Sequence, residues 1–211
     1  MTDPRKAGAL ILNNIGMLNE ASLLMTGTID LEIFGKIKEE IEQWQEEAGW
    51  KGAADWYADS MWIGPPAWAI DSESDSWRAY FDCDREKDDP SDAFDLASLC
   101  GSGSVRVGFR FIATADYFGN KRQWLNFCNK SLPAAASGLQ KLGFTYEKGS
   151  WFLPVTLSKT ELAAAYEGEE YEEALQPIRL ALDQLKAAQP IFDEIIRTAE
   201  LVLKIEVPTT D

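Results

Sequence analysis

The stretch Val105-Arg-Val-Gly-Phe-Arg-Phe-Ile-Ala-Thr-Ala115 decides the fold class. Val105, Val107, Phe109 and Phe111 fall on one side of an extended chain, and Arg106, Arg110 and Ile112 on the other. That period of two suits a half-buried strand, and the β-branched and aromatic residues favour a pleated surface. The preceding Gly101-Ser-Gly-Ser104 reads as a flexible turn. Upstream, residues 77–84 repeat the alternation, with Trp77, Ala79 and Phe81 against Arg78, Tyr80 and Asp82. A further strand is expected over 67–71, after the breaker Gly64-Pro65-Pro66. Downstream come a helix over 121–142 and a hairpin over 144–157 that breaks at Lys148-Gly149. Strands in a run with one inserted helix are not a βαβα pattern. The expectation is an α+β fold with an antiparallel or mixed sheet of about four strands covered by helices.

Both ends of the chain read as helical. Asp3-Pro4 supplies a cap and a first-turn proline, and Leu10, Met17, Leu18, Ala21, Leu24 and Met25 follow near helical spacing. Thr26-Gly27 is expected to stop that helix. A second, over 31–48, carries Ile33, Phe34, Ile37, Ile41 and Trp44 and ends at Gly49, so an antiparallel N-terminal helix pair is predicted. Residues 161–204 place Leu175, Ile178, Leu182, Leu185, Phe192, Ile195, Ala199 and Val202 at heptad-like spacing. Pro177 and Pro190 are expected to start or kink segments of these long C-terminal helices. The organisation is thus a helical segment over 1–50, a sheet-containing core over 51–158 and C-terminal helices over 159–211, within one compact domain. The apolar run 7–24 after Arg5-Lys6 superficially resembles a leader, but Asn13, Asn14, Asn19 and Glu20 interrupt it and no small-x-small site follows. A cytoplasmic protein without a membrane span is expected. Trp44, Trp50, Trp56, Trp62 and Trp68 stand six apart, yet their neighbours share nothing, so no repeat is read.

Missing chemistry narrows function. The 211 residues include no histidine, which removes imidazole bases, Ser-His-Asp and Cys-His nucleophiles and histidine metal sites. Cys83, Cys100 and Cys128 are odd in number and far apart, unlike a zinc site or a disulfide framework. No lysine has an acidic residue two places before it, as a common nuclease arrangement requires. Tyr117-x-x-x-Lys121 lacks the glycine-rich loop of a dinucleotide site, and neither a P-loop nor a nucleophile elbow is present. No cofactor is implied, and the balance leans away from catalysis.

Charge is the positive signal. The net value of −15 divides into −6 over 1–60, −7 over 61–100, +5 over 101–158 and −7 over 159–211. The basic segment holds Arg106, Arg110, Lys121, Arg122, Lys130 and Lys141, but the overall field opposes a polyanion, so direct nucleic-acid binding is not expected. Glu39, Glu40, Glu42, Glu46 and Glu47 lie along one expected helix, and Glu167, Glu169, Glu170, Glu172 and Glu173 at the start of another; Glu39, Glu42, Glu46, Glu169, Glu170 and Glu173 are the partner-binding candidates among them. Asp82, Asp84, Glu86, Asp88 and Asp89 crowd a strand end and its loop. If any metal site exists, Asp82, Asp84 and Glu86 would hold a hard cation, though the EF-hand pattern is not met.

These surfaces point to a non-enzymatic acidic protein that docks a basic protein partner. An intracellular inhibitor or adaptor, of the phage anti-defence or toxin-immunity type, fits that description, with Trp56 and Trp62 as aromatic anchors. The alternatives are a carboxylate-dependent divalent-metal enzyme and an assembly subunit that self-associates through its C-terminal helices.

Overall fold

The computed structural model describes residues 3–56, 60–71, 76–85, 94–147 and 149–205. The expected strand over 105–115 forms as β4 (Val107–Ala113), in a six-stranded antiparallel sheet. The others are β1 (Lys51–Asp55), β2 (Ser60–Gly64), β3 (Ala79–Arg85), β5 (Thr145–Glu147) and β6 (Ser150–Val155), in the order β1-β2-β3-β4-β6-β5. The sheet is therefore larger than the four strands expected, and wholly antiparallel. The β1–β2 hairpin escapes a propensity reading because Lys-Gly-Ala-Ala-Asp has no β-branched or aromatic residue. What makes it a strand is its pairing with Ser60–Gly64. Residues 67–71 are not a strand: Pro66–Trp68 is a 3-10 turn, and only an isolated Ala69–Trp77 bridge follows.

Cross-strand register sorts the side chains onto two faces. Ile63, Phe81, Phe111 and Trp151 are successive partners on one face, and Cys83, Phe109 and Leu153 lie beside them. Trp62, Asp82, Arg110 and Phe152 form the matching row on the other. At Gly108 a Cβ would overlap the Leu153 carbonyl, so only glycine fits between β4 and β6. Pro154 is tolerated in β6 because β5 pairs only as far as Phe152, leaving that end of β6 an edge.

The helices are α1 (Pro4–Asn13), α2 (Ile15–Leu24), α3 (Asp30–Ala48), α4 (Asp95–Leu99), α5 (Lys121–Ser131), α6 (Gly138–Lys141), α7 (Lys159–Gly168) and α8 (Glu172–Leu203). Among the described residues, every ring contact between a helix and a strand falls on the first sheet face. Phe192 of α8 is its centre: it stacks on Phe111 at 4.3 Å and meets Phe81, Phe144 and Trp68 edge-on or nearly so. One connected core joins α3, the sheet, α5 and α8.

Three helical expectations change. The antiparallel N-terminal pair does not form, because the chain stays right-handed helical from Leu24 to Asp30 through a π-helical turn at Met25–Ile29. Gly27 sits inside that turn instead of capping a helix, and the Thr26 hydroxyl donates back to the Ser22 carbonyl at 3.1 Å. The helix over 121–142 breaks after Ser131, where Leu132 turns extended before Pro133, and a 3-10 turn (Ala134–Ser137) precedes α6. The C-terminal helices expected to start at the prolines divide elsewhere: α7 ends at Gly168, and α8 continues through both Pro177 and Pro190. Of the eight heptad-like positions, Leu175, Ile178, Leu182, Leu185, Phe192, Ile195 and Ala199 are buried in the chain's own core, and Val202 is 48% exposed.

At the α7 terminus the left-handed residue is Glu169 (φ 57°), one place after the glycine. Glu169→Gly is expected to raise stability by about 1 kcal/mol, since a Cβ is disfavoured there. A urea midpoint that falls or stays unchanged would contradict this.

Candidate functional site

Helices α3 and α8 run parallel, in register at a constant offset of 139 residues. Tyr171 donates to Glu32 Oε1 at 2.7 Å, Arg179 Nη1 to Glu40 Oε1 at 2.9 Å, and the Trp44 indole to Asp183 Oδ1 at 2.9 Å. The shared offset means that the N-termini of both helices lie at the same end. Only α8 has a free N-terminus there, and its first-turn acids Glu172 and Glu173 offset the helix dipole, whereas α3 continues the π-helical turn.

This arrangement opens a groove of about 1110 Å³ along α3, α7 and the start of α8. Lys36, Glu39, Glu40 and Gln43 line it from α3 at one-turn spacing, Glu161 from α7, and Glu172, Glu173, Gln176 and Arg179 from α8. Five carboxylates thus face two cations. Lys36 pairs with Glu39 at 2.8 Å, while Arg179 bridges Glu40 and Glu47. Among the described residues Glu161, Glu172 and Glu173 have no ion-pair partner. The bond to Glu40 raises the Arg179 pKa further, so this cation stays charged. Burial, and then the hydrogen bond to Glu32, pushes the Tyr171 phenol well above its usual range, and it stays neutral. The groove is therefore an acidic surface in which Lys36 and Arg179 offset only part of the carboxylate charge.

The sequence-derived residues divide between this groove and other places. Glu39 and Glu173 come together in it. Glu42 pairs with Lys38 at 3.8 Å, and Glu46 is exposed on α3. Glu169 and Glu170 are exposed at the α7–α8 corner. Trp56 is not a free anchor: it stacks on Phe34 at 4.7 Å and donates to Asp95 Oδ2 at 2.9 Å. Trp62 is half-buried on the second sheet face, edge-on to Trp77 and Tyr80. Asp82 lies on that same face, in register with Arg110. Asp84 is in β3, while Glu86, Asp88 and Asp89 lie outside the described residues, so the three-carboxylate cation site cannot be assembled from what is described. Among the described residues no group of three metal-ligating side chains converges.

Two arginines of the basic segment are engaged internally, while Lys121, Arg122, Lys130 and Lys141 are exposed. The Arg106 and Arg110 guanidinium groups lie 5.7 and 5.2 Å over the Phe152 ring, and Arg110 also donates to Ser150 Oγ and the Arg85 carbonyl. An apolar void of about 10 Å³ between α3 and the sheet is too small for a ligand. Burial pushes the Cys128 thiol up to about 12, so it stays protonated at neutral pH.

Glu40 and Glu172 belong to the acidic helix runs visible in the sequence, whereas Glu161 and Arg179 join the groove with no signal of their own in the sequence. The Lys36, Glu39, Glu40, Gln43 stripe is visible in the residue spacing; its facing of α7 and α8 is not. No helix among the described residues is long and apolar enough to cross a membrane. The fold and groove define an α+β chain with one helix-covered antiparallel sheet and an acidic inter-helix groove. Comparison with known proteins finds no matching family model, curated protein or solved structure.

Proposed function

We propose that the chain is a non-enzymatic acidic binding protein whose α3–α7–α8 groove receives a basic segment of a protein partner. The observation that carries this reading is the set of three carboxylates, Glu161, Glu172 and Glu173, left without ion-pair partners beside two that are already paired. Unpaired carboxylates on rigid helices attract a cationic partner over several ångströms and order its arginines on contact. An inhibitor or adaptor that neutralises a basic enzyme, of the anti-defence or immunity type, uses this kind of surface.

Fluorescence anisotropy with a labelled oligoarginine peptide tests it. Binding is expected to weaken steeply with added salt, and Glu161→Gln, Glu172→Gln and Glu173→Gln combined are expected to cost roughly tenfold in affinity at low salt. A complex indifferent to salt, or to the triple substitution, overturns the proposal. Glu42→Gln with Glu46→Gln, outside the groove, serves as the control and is expected to change affinity less than the triple variant.

A further inference from the structure

Residues 117–146 contain no Asp or Glu, in a chain with 35 acidic against 20 basic residues. They hold Lys121, Arg122, Lys130 and Lys141, all exposed. Lys36, Lys38, Arg78, Arg85 and Arg179 each pair with a carboxylate, whereas these four cations have no ion-pair partner among the described residues. Three of the four belong to α5. Arg122, Asn126, Asn129 and Lys130 are exposed there and fall within about 100° of helix circumference, with Lys121 at the helix start beside them. Lys121 and Arg122 occupy the first turn, at the positive end of the helix dipole, where α7 and α8 carry acids instead. That placement works against the helix, so helix stability does not account for these cations.

We propose that this outer face of α5 is a second docking surface, which takes an acidic segment of a protein partner. Charge complementarity selects the occupant: clustered cations without partners, interleaved with amide donors, match carboxylates. A nucleic acid fits the face less well. Trp124 and Phe127, the rings of α5 that could stack bases, are buried. The helix has 11 residues and is about 16 Å long, so a strand or duplex would run past it onto a body that brings the chain to −15. A short acidic segment can end with the face. An anionic membrane meets the same repulsion, and α5 exposes no large apolar side chain to insert. This inference is independent of the acidic groove, whose occupant has the opposite charge.

Fluorescence anisotropy of the full chain with a labelled oligoglutamate peptide tests it. Lys121→Gln, Arg122→Gln and Lys130→Gln combined are expected to weaken binding roughly tenfold at low salt, whereas Lys38→Gln on α3 leaves it unchanged. The urea midpoint of the triple variant is expected to equal or exceed that of the wild type, because two cations leave the positive end of a helix dipole. A lower midpoint would give these cations a structural role and overturn the proposal. A peptide that does not bind, or that binds the triple variant as well as the wild type, overturns it too. Labelled single-stranded and duplex DNA of matched charge separate the rival occupant. If either binds more tightly than the peptide and is lost in the triple variant, the face belongs to nucleic acid and the proposal falls.

Discussion

Phe192→Ala is expected to destabilise the fold by about 3–5 kcal/mol, more than any other single truncation here. The ring is fully buried and stacks at 4.3 Å on Phe111 of the central strand, with Phe81, Phe144 and Trp68 around it. Those partners come from β3, β4, the segment before β5 and the turn after β2, so one cavity would loosen the seating of α8 on most of the sheet. A domain's whole stability is about 5–15 kcal/mol, so the loss approaches the point of unfolding. Urea denaturation should show a much lower midpoint with an unchanged slope. Phe192→Leu, which refills most of the volume, should recover much of it. A loss below about 1 kcal/mol for the alanine variant would mean that α8 is not seated through this ring.

Glu200→Ala is expected to cost nearly as much, about 3 kcal/mol, for an electrostatic reason. Glu200 is 9% exposed and accepts from Arg78 Nη1 at 3.1 Å and from the Tyr117 hydroxyl at 2.8 Å. Arg78 Nε is buried without a partner, so the guanidinium depends on its terminal nitrogens. Removing the carboxylate leaves a half-buried cation uncompensated. Replacing both charges, Arg78→Met with Glu200→Leu, should restore most of the loss in a denaturant titration. If the double variant is no better than the single one, the cost is packing and not charge. The same contact carries a pH signature. Burial first, and the Glu200 bond second, lift the Tyr117 phenol from 10.0 to about 12. A folded-state value above the unfolded one favours the neutral phenol. The stabilisation is therefore complete below pH 10 and lost as pH rises through about 12.

Much of the fold was legible in local pattern. Alternation marked β3 and β4 because a half-buried strand must place every second residue inward. Helical spacing marked α3 and the apolar stripe of α8, and Gly49 ended α3 in the left-handed conformation expected of it. What escaped was whatever depended on a partner distant in sequence. Lys51–Asp55 has no strand preference of its own and is a strand because Ser60–Gly64 lies beside it. Gly27 looked like a stop, yet the chain remained helical through it, because a glycine ends a helix only when it turns left-handed.

The candidate site shows the same division. Composition alone determined that this chain has no imidazole chemistry and carries −15. Charge and residue type are properties of the residues themselves and survive any folding. Which acids meet was decided by tertiary structure. The 139-residue offset between α3 and α8 sets Glu40 across from Arg179, which neutralises Glu40 and Glu47, and leaves Glu172 and Glu173 lining the same groove nearer the start of α8. Likewise the sequence determined that residues 4–24 are apolar and helical, but only the packed structure left them outside the core. Burial is a relation between distant segments, and no local window of sequence contains both of them.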